Sequence, residues 1–328
     1  MRVVPPLTGH LDMALSNFVK GYRNNQLVGD ILFPRLPVVR QNDVYWIFGR
    51  ESQQLSEQTL RATGAPAQET RFKLTTGNYG CVSRALKSVV PDEDREAYTV
   101  GDLNMDSVDM LQQKIMLDRE VRISALVANS ANYAANNTLA LSGTSRWDDY
   151  VNSDPVANVN AAKKQIRLAG VNANVLILSD DVFTVLSNHT KLIERFKYTN
   201  VVGSIDEQQM ATALGVEKVV RASAVLHDGV NPGFVWQKIA VLAYVSPTTG
   251  AAGVLTQVGS EGSIKPKELS FGKSFTWVNA PMTIGGYGVV IARHPDATAK
   301  SDIVGVDWYS DERITGSDVG FLFTTPIN

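Results

Sequence analysis

The feature that most constrains this chain is a long stretch, residues 102–133, that contains neither glycine nor proline and is rich in good helix formers. Asp102 or Asn104 can cap a helix that starts there. At about 1.5 Å per residue, this helix would be roughly 40 Å long. Its apolar residues fall on two nearly opposite sides, which predicts that it packs against material on both.

The segment before this helix, residues 1–43, has the pattern of an extended arm. It holds one short helical candidate, residues 11–21, and prolines at 34 and 37 that block both a helix and a central strand. Its apolar residues are too numerous for a disordered tail, yet they cannot form a core alone. They include Leu27, Ile31, Leu32, Phe33 and Leu36.

Residues 44–50 and 69–83 have the composition of strands, and a polar, glutamine-rich stretch separates them. The simplest structure is a long hairpin whose two strands lack material for a core of their own. Isolated hairpins of this kind are marginal in water, so this one needs a neighbour on which to rest.

The middle of the chain predicts a compact α+β unit. Asp154-Pro155 opens a helix that Gly170 ends, Asp180 or Asp181 starts helical segments to about residue 197, and Asp206 starts another that ends near Gly215. The strands predicted in this unit are residues 174–179, 218–224 and 238–245.

The end of the chain returns to strands, predicted at residues 287–293, 303–309 and 319–323. Residues 311–313, with the sequence Asp-Glu-Arg, and Gly316 are expected to supply the turns between them. The fold class that results is α+β.

Charge and cysteine content exclude several functions. Thirty-one Lys and Arg against 33 Asp and Glu give a net charge of −2, so no bulk positive field attracts nucleic acid. Cys81 is the only cysteine, which rules out an internal disulfide and a cysteine-based zinc site. No apolar run is long enough to span a bilayer, and we expect no contact with a membrane.

No motif for chemistry is complete. The four histidines are scattered and none has a second histidine nearby, so no metal site is predicted. Gly272-Lys273-Ser274 lacks the first glycine of a phosphate loop, because position 267 is Lys267. Ser270 and Lys273 have the spacing of one class of nucleophilic serine without its partner motifs. We therefore expect no catalytic residue and no cofactor.

The order of the segments, together with short sequence words, resembles the tailed-bacteriophage major capsid proteins. The words are Leu32-Phe33-Pro34, Pro37-Val38, Tyr45-Trp46-Ile47-Phe48, Asp118-Arg119-Glu120, Trp147-Asp148-Asp149, Ser153-Asp154-Pro155, Asn174-Val175-Leu176-Ile177-Leu178-Ser179 and Glu194-Arg195-Phe196-Lys197-Tyr198.

The resemblance implies the shell fold of those proteins, with five segments. They are an N-terminal arm at 1–43, an extended loop at 44–90, a peripheral domain with its spine helix at 91–149, an axial domain at 150–285, and return strands of the peripheral domain at 286–328. It also implies axial domains that meet around five-fold and six-fold axes, with the arm and the loop reaching across neighbouring subunits.

From the apolar content of the arm and the hairpin we expect neighbouring subunits to clasp both segments. The residues expected at such contacts are Leu27, Ile31, Leu32, Phe33, Leu36, Trp46, Phe48, Arg71 and Lys73. Lys73 also lies where some family members form a covalent cross-link, but nothing around it predicts that chemistry.

The function implied by the resemblance is structural: hexamers and pentamers that form an icosahedral head shell around phage DNA in the virion, assembled in the host cytoplasm. Scaffolding, portal and decoration proteins are the expected partners, with a non-specific contact to packaged double-stranded DNA. Because no scaffolding extension precedes the arm, we expect a separate scaffolding protein or a removed extension. Two alternatives remain, an encapsulin-like compartment and a soluble α+β hydrolase without a known motif.

Overall fold

The computed structural model describes residues 10–11, 27–48, 74–98, 102–196, 205–247, 268–279 and 289–328, with single positions between 54 and 69. The predicted helix at 11–21 lies outside these residues apart from Leu11, which belongs to a short strand. Arg71 and Lys73 also lie outside the described residues.

Fifteen strands and seven α-helices make up the described chain. The strands are β1 (His10–Leu11), β2 (Arg35–Val38), β3 (Asn42–Phe48), β4 (Leu74–Gly80), β5 (Val82–Pro91), β6 (Thr138–Ala140), β7 (Val175–Ser179), β8 (Lys218–Ala222), β9 (Val225–His227), β10 (Pro232–Phe234), β11 (Ile239–Ala243), β12 (Gly272–Trp277), β13 (Val289–Asp296), β14 (Ser301–Ile314) and β15 (Gly320–Thr324). The α-helices are α1 (Gly29–Leu32), α2 (Asp92–Ala97), α3 (Leu103–Ala128), α4 (Pro155–Arg167), α5 (Asp180–Ser187), α6 (Thr190–Phe196) and α7 (Glu207–Leu214).

The first sheet is built around β14. Its strand order is β1-β13-β14-β12-β2, and β5 pairs along the other side of β14. β2 pairs parallel with β12, so the arm supplies an edge strand of this sheet. Helix α3 packs on one face, with Val108, Leu111 and Ile115 buried against Val304, Val306 and Trp308.

Helix α3 confirms the predicted start but ends earlier than predicted. The Asp102 side chain accepts a hydrogen bond from the Asn104 amide at 2.9 Å. The helix stops at Ala128 because the Asn129 side chain caps a following 3₁₀ turn, Ser130–Asn132. The Tyr133 hydroxyl then satisfies the carbonyl of Val127 at 2.9 Å.

The second sheet has the order β6-β15-β11-β7-β8 and confirms the α+β unit predicted for the middle of the chain. Asp154 caps α4 ahead of Pro155, and Asp206 forms a capping box at the start of α7. Gly215 ends α7 with φ of 60°, a left-handed conformation that favours glycine.

Both faces of the second sheet are buried. One face packs against side chains of α4, α5 and α7. The opposite face packs against the arm and the last turns of α3, since Phe33, Ile123 and Val127 share a cluster with Val241 and Leu322. Residues 28–33 of the arm are therefore enclosed between α3 and the second sheet.

Two predictions about strand boundaries are wrong. Residues 311–313 form no turn, because β14 continues to Ile314 with the Glu312 side chain buried beneath α3. The strand predicted at 69–83 is divided: β4 ends at Gly80, and β5 starts at Val82 and joins the first sheet. The hairpin proper is therefore β3 with β4.

The last segment of the chain contributes to both sheets. β13 and β14 lie in the first sheet, whereas β15 pairs with β11 in the second sheet. Conversely, β12 was assigned to the axial segment and lies in the first sheet, between β14 and β2.

Two searches of the described residues give negative findings. No described helix is long and apolar enough to cross a membrane. Within the same part of the chain, no group of three or more His, Cys, Asp or Glu side chains could hold a metal ion.

Candidate assembly site

The part of the arm that the structure describes, residues 27–38, is buried against its own chain, and we call it the arm root. Leu32 and Phe33 are fully buried, and the Phe33 ring meets the Phe271 ring edge-on at a centroid distance of 6.2 Å. A Cβ at position 272 would lie 2.6 Å from the Phe33 ring, so Gly272 permits this packing.

The arm root bears on an expectation from the sequence, which stays a prediction. Leu32, Phe33 and Leu36 were expected to contact neighbouring subunits, but each is at most 4% exposed within a single chain. Leu27 and Ile31 are partly buried, and Ile31 packs against the same cluster as Phe33. The apolar residues of the arm root are buried within the chain because α3 and the second sheet together supply the core that this segment lacks.

A buried carboxylate on α3, that of Glu120, holds the start of the arm root. One of its oxygens accepts a hydrogen bond from the Val28 amide at 3.0 Å, and the other accepts from the Gly29 amide at 2.9 Å. The Trp236 indole N–H donates to the first oxygen at 2.7 Å. Burial raises the pKa of Glu120, and these three donors oppose that effect by stabilising the anion.

The residue before it, Arg119, joins three separate segments. Its guanidinium donates to Asp30 Oδ1 in the arm at 2.7 Å, to Glu312 Oε1 in β14 at 3.2 Å, and to the Phe33 carbonyl at 3.4 Å. Arg122, one turn later, donates to the other oxygen of Glu312. Burial raises the pKa of Glu312, but the two guanidinium groups outweigh it and hold that pKa below its ordinary value.

The same ionic cluster encloses an aromatic ring. The guanidinium carbons of Arg35 and Arg119 lie 5.3 and 5.2 Å from the centre of the Trp308 ring. Arg35 also pairs with Asp30 at 3.2 Å. Burial raises the pKa of Asp30, and the stronger attraction of Arg119 and Arg35 lowers it overall.

The hairpin of β3 and β4 has two different faces. On the inner face, Tyr79 stacks on Phe275 at a centroid distance of 4.5 Å and Tyr45 packs beside it at 5.3 Å. Tyr45 lies over Gly77, its cross-strand partner, where a side chain would clash with the ring. These contacts fix the base of the hairpin to the first sheet.

The outer face of the hairpin is apolar and exposed. Val44 is 48% exposed, Trp46 is 63% exposed, and Leu74 is 44% exposed. Phe48 lies in β3 opposite Leu74, and its side chain lies outside the described part. Of the residues expected at subunit contacts, Trp46 is therefore the one that the structure places on an open surface.

Asp118-Arg119-Glu120 contributes to the family resemblance, but the sequence predicts no role for these residues. A signal for that role was present, because Arg119 follows the buried Ile115 by four residues and precedes the buried Ile123 by four. Charged residues at that spacing continue the buried face of the helix and therefore require buried partners.

Comparison with models of known protein families gives no match. The major capsid protein of Pseudomonas phage JBD67 is 26% identical over 216 residues, which cover 66% of this chain and 67% of that protein. A phage-related protein from Bordetella bronchiseptica RB50 has 28% identity and a TM-score of 0.76, covering 97% of this chain and 98% of the other.

The fold also matches the capsid structure of cyanophage P-SCSP1u, with a TM-score of 0.58 at 9% identity, over 99% of this chain and 92% of the other. The chain therefore shares the fold of that capsid structure. Its curated sequence relatives are phage major capsid proteins, and a structural role in a phage capsid is the function that they support.

Proposed function

We propose that copies of this chain assemble as hexamers and pentamers into an icosahedral head shell that encloses phage DNA. The observation that carries this proposal is the outer face of the β3–β4 hairpin. Val44, Trp46 and Leu74 form an apolar surface on a two-stranded element, which has no core of its own. A surface of this kind is stable in water when a partner covers it, and in a shell the partner is another copy.

We propose that the arm contributes differently from the sequence-based expectation. Arg119 and Glu120 bind residues 28–33 within the chain, and β1 pairs with β13 of the same chain. The arm root is therefore a fixed attachment point, and the described surface that offers apolar contacts to a neighbour is the outer face of the hairpin.

We propose that the first sheet with α3 forms the peripheral domain and the second sheet with its helices forms the axial domain. Scaffolding, portal and decoration proteins, a non-specific contact with double-stranded DNA, and assembly in the host cytoplasm belong to the same proposal. We also propose that the role of the protein is structural and involves no catalysis, since no catalytic motif is complete in the sequence.

Electron microscopy of the purified full chain tests the central claim. We expect closed shells from the unaltered chain, and monomers under all shell-forming conditions would contradict it. Shells that contain a protein cargo in place of DNA would favour the compartment alternative, and monomers with hydrolytic turnover would favour the enzyme.

Two variants test the hairpin surface directly. Trp46→Asp places a charge on the apolar outer face and should abolish shells. Asn78→Asp places the same charge on the same face, at an exposed position that is already polar, and should leave assembly nearly unchanged. Equal loss of shells in the two variants would argue against apolar burial of this face.

A further inference from the structure

A second two-stranded hairpin, β9 with β10, projects from the body and has no part in the function proposed above. Among the described strands, each of these two pairs with the other alone. Every residue of β9 is exposed, with Val225 at 46% and Leu226 at 38%. Because so short a hairpin is marginal in water, its apolar side chains need a partner.

The tip of this hairpin is held rigidly. Asp228 Oδ1 accepts hydrogen bonds from the Val230 amide at 2.8 Å and from the Asn231 amide at 2.7 Å. His227 Nδ1 accepts from the Gly229 amide at 3.0 Å. These bonds present the Val230 side chain, which is 79% exposed, in one arrangement. A rigid apolar tip loses little conformational entropy when it binds.

The base of the hairpin is fixed to the arm root through a shared carboxylate. Trp236, two residues after β10, is 1% exposed and donates its indole N–H to Glu120 Oε1. The same oxygen accepts from the Val28 amide in the arm. The position of the hairpin and the docking of the arm therefore depend on one group.

We infer that the β9–β10 hairpin is a second contact between subunits, positioned by the arm through Glu120, and that its partner is another copy of this chain. The inference rests on the proposed function. Residues 222–237 contain no Lys or Arg and include Asp228, so the hairpin does not suit a phosphate backbone. A rigid apolar tip instead suits an apolar surface, and the relatives are proteins named as capsid subunits.

Cysteine labelling tests the contact. The chain's own Cys81 is 1% exposed, and burial raises the pKa of its thiol to about 12, so it stays silent. Val230→Cys should react with a small maleimide at least about tenfold more slowly in shells than in dissociated subunits, because a neighbour covers it.

Val151→Cys is the matched control, since Val151 is 82% exposed and lies on a loop of the body. It reports how freely the reagent reaches residues in shells. A Val230→Cys rate that does not change on assembly, or that falls no further than the rate of Val151→Cys, overturns the inference. Failure of the unaltered chain to form any shell would instead refute the proposed function itself.

The link to the arm has its own test. Trp236→Phe removes the indole N–H and keeps the buried ring, and we expect faster hydrogen exchange at the Val28 and Gly29 amides, with weaker protection of Val230→Cys in shells. Trp277→Phe is the control, because its indole donates to the exposed Val39 carbonyl. Unchanged exchange at both arm amides in Trp236→Phe would contradict the shared anchor.

Discussion

The arm root and the β3–β4 hairpin both carry large apolar side chains, but their surroundings differ. Both segments precede the long helix, and neither can form a core alone. The arm root lies between α3 and the second sheet, with Leu32 and Phe33 at 0% exposure, whereas Trp46 in the hairpin is 63% exposed. Apolar content therefore shows that a segment needs a partner. In the arm root that partner lies in the same chain, where Arg119 and Glu120 on α3 bind the segment.

The largest expected effect breaks the arm root at Arg119. Arg119→Met leaves the buried Glu312 with fewer partners and should lower the free energy of unfolding by about 3–5 kcal/mol. Denaturant titration measures it. Arg313→Met, at an exposed arginine one residue after Glu312, should change stability by no more than about 0.5 kcal/mol. Equal effects would mean that the buried cluster contributes little.

A smaller effect sharpens the role of Glu120. In Gly29→Ala the added Cβ would lie 2.7 Å from both the Glu120 carboxylate and the Ile123 side chain. We expect a loss of about 1–3 kcal/mol from overpacking, and faster exchange of the Val28 amide. Gly233→Ala, where a Cβ meets nothing within 4 Å, is the control. Similar thermal midpoints for the two variants would contradict tight docking of the arm.

Acid should loosen the arm root before it affects the hairpin. The pKa values of Asp30 and Glu312 are lowered from 3.8 and 4.5, so their contribution to stability is present above those values and is lost as pH falls below them. Glu120 acts oppositely, because its raised pKa makes the folded state more stable as pH falls towards 4.5. The unfolding free energy, measured as a function of pH, should fall less steeply in acid for Glu312→Gln than for the unaltered chain. An equally steep fall would mean that Glu312 does not contribute to the acid sensitivity.

The smallest effect on stability is expected on the hairpin's outer face. Trp46→Ser should change the unfolding free energy of the single chain by no more than about 0.5 kcal/mol, while shell yield falls. Tyr45→Ser, at the neighbouring residue on the inner face, removes packing against Phe275 and should destabilise the chain itself. If Trp46→Ser lowered the unfolding free energy more than Tyr45→Ser did, and Tyr45→Ser left fewer shells, the inner and outer faces would be wrongly assigned.

Local signals in the sequence predicted most of the elements. The caps at Asp102, Asp154 and Asp206 and the glycine at 215 all act within a few residues, and each was recognised correctly. The errors concern partners that are distant in the sequence. Glu312 lies in a charged tripeptide of the kind that is common in turns. It can be buried in a strand because Arg119, 193 positions away in the sequence, pairs with its carboxylate.

The candidate site followed the same rule. Trp46 could be proposed from the sequence because an apolar residue on an unsupported strand is visible locally, and its contact with a neighbouring subunit stays a prediction. The Glu120 anchor was missed because its three donors come from the arm, from the arm again, and from a tryptophan far along the chain. Pairing across such distances has no local pattern, and the spacing of charged residues on the helix was the available signal.

The ring of Trp308, enclosed by the guanidinium groups of Arg35 and Arg119, gives the molecule an optical property. Indole emission responds to nearby positive charge and to water, and Trp236 also touches the arm root through Glu120. Two of the chain's five tryptophans thus lie beside the groups that hold the arm root. The intrinsic fluorescence of unlabelled protein should therefore change when the arm root undocks as the chain unfolds.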